Sequence, residues 1–306
     1  MADEMEETGG AGKTKEAETA RGIDQRLQNG VIIIDKPPGL TSHEVTTLVK
    51  KITGAKRAGH AGTLDPEVSG VLPVAIGRAT KLLRYIAAKD KTYVGIVKFK
   101  KVMQRGEIEA VFSRFTGELV QTPPKISAVR KVPRKRTVYR LALLETTGHL
   151  ALFETNVDAG TYIRTLCDDM GKTCGGARME ELRRTAVGRI SEKKCHTMQE
   201  LVDAMWFYKK GEKKLLAGMV EPPERFIELP KAHIKETALA SVLSGAQIMA
   251  PGVEGIDAGV KQNDRVAIYC GERFIGIGIA QVAAERIKDM GSGIVIKLER
   301  MHITRD

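Results

Sequence analysis

The spacing of apolar and polar residues predicts a mixture of buried strands and amphipathic helices along the chain. A short apolar run at residues 31–35 predicts a buried strand, and a β-branched stretch at residues 91–99 predicts another. Apolar residues return with helical spacing in residues 45–52, 163–170 and 198–210. These five segments are the framework on which the other sequence features are placed.

The ends of the predicted helices carry recognisable signals. Thr41 is followed three residues later by Glu44, which is a capping-box pattern, and Gly54 is placed to end the same helix. In residues 163–170 the apolar side chains recur at i, i+3, i+4 and i+7, so one helix face is expected to pack on a core. In the last helix we expect Trp206 to belong to the core rather than to stack on a base.

Two changes of composition divide the chain. The first 25 residues hold seven acidic and three basic residues and predict a mostly disordered tail whose end docks on the body, with folded structure from Gly30. A proline-rich stretch at residues 221–224 predicts a linker, and short strands separated by glycine turns follow it. The predicted segments are a tail at residues 1–25, a large domain at 26–226 and a small domain at 227–306.

Charge and cysteine usage narrow the class of protein. The net charge of the 306 residues is +11. The tail has a net charge of about −4, so the rest of the chain has a net charge of about +15. Such an excess of basic residues is typical of a protein that binds nucleic acid. None of the four cysteines forms a C-x-x-C pair, so we expect reduced thiols and no zinc site. No apolar run approaches membrane-spanning length and no signal pattern is present, so we expect a cytoplasmic protein without membrane contact.

The stretch GHAGTLDPEVSG at residues 59–70 has the composition of a functional loop. Three glycines and a proline within twelve residues exclude a regular helix or strand running through it. Pro66 biases Asp65 toward an extended backbone, and the glycines permit a ligand to approach closely. Taken alone, the stretch is equally typical of a turn in which the aspartate bonds its own backbone.

This loop, with the GRATK that follows at residues 77–81, resembles the signature of the TruB/dyskerin family of pseudouridine synthases. Five further stretches resemble elements of that family in the same order, and residues 229–253 resemble the start of a PUA domain, so the resemblance extends over roughly residues 30–304. The five stretches are DKPPGLTS at 35–42, KTYVGIVKF at 91–99, QTPPKISAVR at 121–130, GTYIRTLC at 160–167 and ELRRTAVG at 181–188. The resemblance implies an α+β fold with a mixed, largely antiparallel sheet flanked by helices, and a small β-barrel PUA domain.

The resemblance also implies an active site. Asp65 matches the catalytic aspartate of the family, and Arg164 matches the arginine that pairs with it. Tyr93 matches the tyrosine that stacks on the extruded uracil, although its place in a strand is equally typical of a core residue. A loop histidine such as His60 is more often structural than a general base. The family's matching histidine lies near the flipped base and the RNA backbone, so the resemblance implies a role in binding. The residues implied to bind the target uridine are His60, Tyr93, Tyr162, Arg164 and Leu182.

A basic stretch provides the strongest sign of RNA binding outside these motifs. Residues 125–140 hold seven basic residues and no acidic one, a pattern that suits phosphate contacts, although a solvated basic loop is the alternative. In the family this region is a mobile loop that clamps RNA. Lys36 matches a lysine that supports the active-site loop, and Arg183 and Arg184 are expected to contact RNA or hold the fold. The predicted RNA contacts are Lys36, Lys125, Arg130, Lys131, Arg134, Lys135, Arg136, Arg183 and Arg184.

The implied reaction has no redox step, so neither a cofactor nor a metal is expected. The basic stretch and the long C-terminal module look more like the dyskerin-type branch, in which a guide RNA selects the uridine of rRNA or tRNA. The implied partners are an H/ACA guide RNA, a small zinc-ribbon protein, a small β-barrel protein and a kink-turn-binding protein. Two alternatives stay open: a stand-alone enzyme for the T-arm of tRNA, and a non-catalytic RNA-binding scaffold.

Asp65→Asn is expected to abolish isomerisation, because the amide cannot serve as a carboxylate at the sugar carbon, and to leave RNA affinity within a few-fold. Release of tritium from uridine labelled at C5 measures the reaction, and a binding titration measures affinity. Near-normal turnover by the variant would refute the assignment.

Overall fold

A computed structural model describes residues 22–123, 130–287 and 289–303 of the chain. The described chain divides between Glu221 and Pro222 into two units, a division that lies in the stretch predicted as a linker. Among the described residues no helix has both the length and the apolar character needed to cross a membrane.

The larger unit contains seven α-helices and ten strands in its described part. Its helices are α1 (Ile23–Asn29), α2 (Ser42–Thr53), α3 (Leu83–Ala87), α4 (Arg105–Arg114), α5 (Ile163–Cys174), α6 (Met198–Lys209) and α7 (Lys214–Met219). Its strands are β1 (Val31–Lys36), β2 (Ala58–His60), β3 (Ser69–Ile76), β4 (Lys91–Phe99), β5 (Gly117–Gln121), β6 (Arg134–Thr147), β7 (Leu150–Val157), β8 (Ala177–Val187), β9 (Ile190–Ser191) and β10 (Val220–Glu221).

These strands form one mixed, mostly antiparallel sheet, as the resemblance implied. Their order is β10-β1-β3-β8-β4-β7-β6-β5, with β2 beside β3 and β9 beside β8. The pairing of β3 with β8 is parallel, and it brings Gly70 beside Arg184. The centre of the sheet therefore joins the strand that follows the predicted loop to strands far along the chain.

Two hydrophobic clusters cover this sheet. One includes the buried face of α5, where Ile163, Leu166, Cys167 and Met170 pack as the helical spacing predicted. The other surrounds β1 and β3 and includes the inner face of α2. The predicted capping box at the start of α2 is present, and Gly54 ends that helix in the left-handed conformation with φ 68°.

Folded structure begins earlier than predicted. The sequence favoured a start at Gly30, but α1 already packs on the larger unit, with Ile23 fully buried. The Arg26 guanidinium donates to the carbonyl oxygens of Ala217 (3.0 Å) and Val220 (2.8 Å). Docking of the tail's end was expected; a seven-residue helix within a charged stretch was not, because its single buried apolar residue gives no periodicity. Residues 1–21 lie outside the described residues.

The prediction that Trp206 belongs to the core is wrong. On α6 the buried side chains are Leu201, Ala204 and Met205, whereas Trp206 is 57% exposed. A helix buries the positions at i, i+3 and i+4, so the small Ala204 takes the place that hydrophobicity alone assigned to the tryptophan. The Trp206 ring instead lies against Phe207, with the Lys210 ammonium 5.6 Å from its centre.

The smaller unit has its own core and a six-stranded sheet. Its strands are β11 (Lys231–Ile234), β12 (Ile248–Met249), β13 (Val253–Ile256), β14 (Arg265–Cys270), β15 (Arg273–Ala280) and β16 (Ile294–Met301), in the order β12-β16-β15-β14-β11-β13. Its helices in the described residues are α8 (Glu236–Leu243) and α9 (Ala284–Ile287). The three longest strands lie where the sequence predicted short strands between glycine turns.

The docking of α1 gives a prediction for Gly77. This residue has a φ of +58°, and a Cβ atom there would lie 1.5 Å from the carbonyl oxygen of Gln28 in α1. Gly77→Ala is therefore expected to lower the free energy of unfolding by about 3 kcal/mol, measured by urea denaturation. The matched control is Gly106→Ala in α4, where no atom lies within 4 Å of the new Cβ and the change is expected to be neutral or slightly stabilising. Equal effects of the two substitutions would contradict this docking of α1.

Candidate active site

Asp65 lies in the connection between β2 and β3. These two strands form an antiparallel pair in which His60 lies opposite Val74. The Val68 N–H donates to the Asp65 carbonyl (3.1 Å), which closes a tight turn around the aspartate. Gly70, the second residue of β3, has to be glycine because it has a φ of +104° and because a Cβ there would lie 2.2 Å from the Arg184 carbonyl oxygen.

A buried lysine holds one side of this turn. The Lys36 ammonium donates to the carbonyl oxygens of Pro66 (2.9 Å), Leu40 (2.6 Å) and Pro37 (2.9 Å), and its side chain is fully buried. Burial lowers the pKa of Lys36, while the nearby carboxylates of Asp65 and Glu44 oppose that shift. The prediction that Lys36 contacts RNA is therefore wrong, because the side chain is inside the protein; it lies where a support for the loop would lie.

The first residue of α2 holds the loop at a second point. The Ser42 hydroxyl donates to the carbonyl oxygen of Leu64 (3.0 Å) and accepts from the Leu64 N–H (2.8 Å). Both backbone groups of the residue before Asp65 are therefore satisfied by one side chain. Sequence reasoning used Ser42 only as part of a motif; its reciprocal bond to a residue 22 positions away has no local signal.

Arg184 supports the loop from β8. Its side chain is 1% exposed, and its guanidinium donates to the carbonyl oxygens of Val71 (2.8 Å) and Gly62 (2.9 Å). A direct RNA contact by Arg184 is excluded by this burial, and the alternative that it holds the fold is the one observed. Lys91 lies close by, with its Cε 3.8 Å from the position of a Cβ on Gly62. Burial, together with the Arg184 charge, lowers the pKa of Lys91 to about 8.

His60 joins α2 to the loop. Its Nδ1 lies 3.0 Å from the Thr46 hydroxyl and its Nε2 lies 3.2 Å from the Thr63 hydroxyl. Burial lowers the pKa of His60, and the Arg184 and His43 charges act in the same direction. A neutral imidazole between two hydroxyls is a structural bridge, and the roles of Thr46 and Thr63 in it were not predicted.

Arg164 reaches Asp65 across 99 residues of sequence, as predicted. Its Nη2 lies 3.2 Å from Asp65 Oδ2 and 3.2 Å from Glu67 Oε2. The Asp65 side chain is 46% exposed, so a substrate can approach the carboxylate that the arginine holds. A second acid therefore lies beside Asp65, since Glu67 shares the same guanidinium nitrogen.

Tyr93 and Leu182 pack in the hydrophobic cluster that also contains apolar residues of the loop. Tyr93 is 8% exposed and belongs to the cluster that contains Leu64 and Val68, the apolar residues on either side of Asp65. Leu182, partly buried, packs against the same cluster. Tyr162 precedes α5, and its N–H donates to the Gln121 side-chain oxygen (2.9 Å).

The predicted RNA-binding stretch is partly a strand. The sequence placed Arg134, Lys135 and Arg136 in a mobile loop, but they begin β6 and pair with β5. Lys135 contacts Glu118 (2.9 Å) and Arg136 contacts Asp158 (3.6 Å), so acidic residues distant in sequence, which a local charge count misses, partly neutralise the run. Arg130 and Lys131 are exposed, and Lys125 lies outside the described residues.

Arg183 lies on the surface side of β8, with two acidic partners. Its guanidinium donates to both carboxylate oxygens of Asp35 (2.9 and 3.0 Å) and to Glu192 (2.8 Å). Its side chain is 37% exposed, so an RNA contact stays a prediction. In the described part of the chain no three His, Cys, Asp or Glu side chains lie close enough together to hold a metal ion.

Comparison with known proteins finds matches along most of the chain. Residues 50–163 match the model of the TruB family pseudouridylate synthase N-terminal domain, residues 164–228 the tRNA pseudouridylate synthase B C-terminal domain, and residues 230–302 the PUA domain. The chain is 40% identical over 291 residues to the probable tRNA pseudouridine synthase B of Archaeoglobus fulgidus, covering 94% of this chain and 90% of that protein. It is also 40% identical to the probable tRNA pseudouridine synthase B of Pyrococcus furiosus, covering 94% and 86%.

Two solved structures share this fold. A chain in the crystal structure of a Cbf5-Nop10-Gar1 complex matches with a TM-score of 0.85 and 40% identity, over 92% of this chain and 88% of that one. A chain in the structure of an H/ACA RNP bound to a substrate RNA containing 2'-deoxyuridine matches with a TM-score of 0.85 and 38% identity, over 93% and 88%. At this identity and coverage the likeness extends over both units.

The buried Lys91 predicts a specific pH dependence of stability. Its pKa is about 8 in the folded protein and 10.5 in the unfolded chain, so the unfolded state binds more protons between these values. The free energy of unfolding should therefore rise with pH in that window, by at most about 1.4 kcal/mol per pH unit from this group. Urea denaturation of the wild type and Lys91→Met isolates the contribution, with Lys50→Met as the exposed control. A difference between wild type and Lys91→Met that stays flat from pH 8 to pH 10.5 would contradict it.

Proposed function

We propose a function for this chain from the premise that it belongs to the TruB family of pseudouridine synthases. It is an RNA pseudouridine synthase with a C-terminal PUA domain, and we propose that it is the RNA-guided catalytic subunit of an H/ACA ribonucleoprotein that acts on rRNA or tRNA. The observation that supports catalysis is the contact between Arg164 and the half-exposed Asp65 on a loop fixed by buried cations. A scaffold without activity would not require that arrangement.

The reaction breaks the bond between C1′ and N1 of uridine, turns the base and joins C5 to C1′. A carboxylate at C1′ acts as nucleophile or stabilises the positive charge that develops there, and Asp65 takes this role. The target nucleotide has to leave its helix to reach the carboxylate. Tyr93 and Leu182, which pack with the residues beside Asp65, are proposed to hold the extruded base, and His60, Tyr162 and Arg164 to complete its pocket.

Likeness to chains of H/ACA particles supports guidance by RNA. The two solved structures described above come from a Cbf5-Nop10-Gar1 complex and from an H/ACA RNP with substrate RNA. We propose the corresponding partners for this chain: a guide RNA, a small zinc-ribbon protein, a small β-barrel protein and a kink-turn-binding protein. The four cysteines are free thiols, which supports the reducing cytoplasm as its compartment.

The descriptions of two relatives favour a second candidate function. Those in Archaeoglobus fulgidus and Pyrococcus furiosus are described as probable tRNA pseudouridine synthases, so stand-alone action on the T-arm of tRNA is the alternative. The proposed RNA contacts outside the pocket serve either substrate, and they are Lys125, Arg130, Lys131, Arg134, Lys135, Arg136 and Arg183.

The deciding experiment is tritium release from RNA labelled at uridine C5. We expect release from a target RNA only when a matching H/ACA guide RNA and the partner proteins are added, with Asp65→Asn inactive under every condition. Release from bare tRNA without a guide would replace guidance with stand-alone action. Absence of release from both substrates, with RNA binding intact, would favour a non-catalytic scaffold.

A further inference from the structure

A concave site lies in the larger unit and is lined by residues other than Asp65 and its neighbours. It is a groove of about 710 Å³ where the end of β4, the turn after β6, the end of α5 and the start of β8 meet. That volume is within the range of sites that take a small molecule or one unit of a polymer. The side chains that give the groove its chemistry are Lys98, Lys100, His149, Asp168, Lys172 and Arg178.

The groove is positively charged, and part of that charge has no internal partner. Lys172 is bound to Asp169 (2.6 Å) and Arg178 to Glu180 (3.1 Å). Lys98 and Lys100, by contrast, have no acidic partner within residues 22–123, 130–287 and 289–303. Two unpaired ammonium groups at the wall of a concave site attract an anion from solution.

The position of Lys100 depends on a glycine. The Lys100 N–H donates to the Gly176 carbonyl oxygen (2.9 Å), and its aliphatic stem lies over the Gly176 backbone. A Cβ on Gly176 would lie 2.6 Å from Lys100 Cδ, and the residue has a φ of +126°. The ammonium group is therefore carried by a stem that packs against the groove wall rather than by a freely moving side chain.

The remaining polar groups suit a ligand that offers more than negative charge. His149 Nδ1 lies 3.2 Å from the Phe99 carbonyl oxygen, which can only accept, so Nδ1 donates and Nε2 is left to contact a ligand. The exposed Asp168 carboxylate is an acceptor. Phosphate oxygens would pair with the ammonium groups, and a hydroxyl group would donate to Asp168. A ribonucleotide, with its phosphate and 2′-hydroxyl, carries both.

The groove is built from the same elements as the candidate active site. β4 carries Tyr93 and Lys98, α5 carries Arg164 and Lys172, and β8 carries Leu182 and Arg178. The register of β4 and β8 pairs Lys98 with Arg178. Along α5, eight residues at roughly 1.5 Å each separate Arg164 from Lys172 by about 12 Å. The groove therefore has a fixed spacing of a few nucleotides from the catalytic carboxylate.

We propose that this groove binds the sugar–phosphate backbone of the substrate or guide RNA, as a contact site additional to the active site. The proposal rests on the proposed function, since it takes RNA to be the ligand. Two phosphates lie against Lys98 and Lys100, and the ribose hydroxyls face Asp168 and His149. The contact reads no bases, so it adds affinity and sets the register of the RNA relative to Asp65.

The test is the salt dependence of RNA binding by the full chain, measured by fluorescence anisotropy with a labelled guide RNA and, in a separate titration, with a labelled substrate RNA. The RNA whose binding responds to the variant is the one that occupies the groove. Lys98→Gln/Lys100→Gln removes two charges without leaving an acid unpaired. It is expected to lower the slope of log affinity against log salt by about 1.5 and to weaken binding several-fold at 0.15 M salt. The control Lys193→Gln/Lys194→Gln removes two exposed charges from the same unit and is expected to leave the slope within experimental error of wild type.

Three results would overturn the proposal. An unchanged slope in the groove variant would place the RNA elsewhere. An equal decrease of the slope in the groove variant and in the control would show that the effect depends only on the net charge of the protein. Binding of labelled poly-glutamate by the wild type but not by the groove variant, with no change in RNA affinity between the two, would assign the groove to an acidic protein. Because binding is measured apart from turnover, absence of tritium release by the wild type would bear on the proposed function and not on this site. A melting curve for each variant confirms that it is folded.

Discussion

The loop that carries Asp65 depends on buried cations that donate to its backbone carbonyls. Lys36 binds the Pro66 carbonyl and Arg184 binds that of Gly62, and both side chains are inside the protein. A buried charge is tolerated only when it is hydrogen-bonded, so each cation requires the loop carbonyl that faces it, and the loop in turn is shaped by them. The donors come from β1 and β8, which lie on either side of β3 in the sheet. The site is therefore complete only once strands more than a hundred residues apart have assembled.

Much of the framework could be predicted because its signals are local. The capping box at Thr41, the helix face around Leu166 and the strand through Tyr93 follow from spacing that a short window contains. The errors came from features decided by distant residues. For Arg184 an RNA contact and a role in holding the fold were both open, and only the tertiary structure shows the carbonyls that its guanidinium binds. Trp206 was expected in the core because it is the largest apolar residue of its helix. Hydrophobicity alone does not show that the smaller Ala204 faces inward in its place.

The residues of the candidate site also differ in how far the sequence could predict them. The pairing of Arg164 with Asp65 was available only through resemblance, since no local pattern links residues 99 positions apart. Glu67, two residues from Asp65, was visible in the sequence but went unassigned until the structure placed it on the same guanidinium nitrogen. Both carboxylates accept hydrogen bonds from Arg164. A glycosidase pair is different, since one of its carboxyl groups has to act as a proton donor. Two carboxylates that share one arginine therefore do not form the pair of proton donor and carboxylate that glycoside hydrolysis requires.

The exposed carboxylate of Asp65 and the fixed backbone around it meet two opposing demands. RNA has to reach the carboxylate, which requires an open side chain, and Asp65 is close to half exposed. Catalysis also requires the reacting atom to be held in place before the substrate arrives. The structure separates these demands by anchoring the neighbours of Asp65. Leu64 is bound through both backbone groups to Ser42, and the Pro66 carbonyl is bound to Lys36, so the aspartate is rigid at its backbone and open at its oxygens.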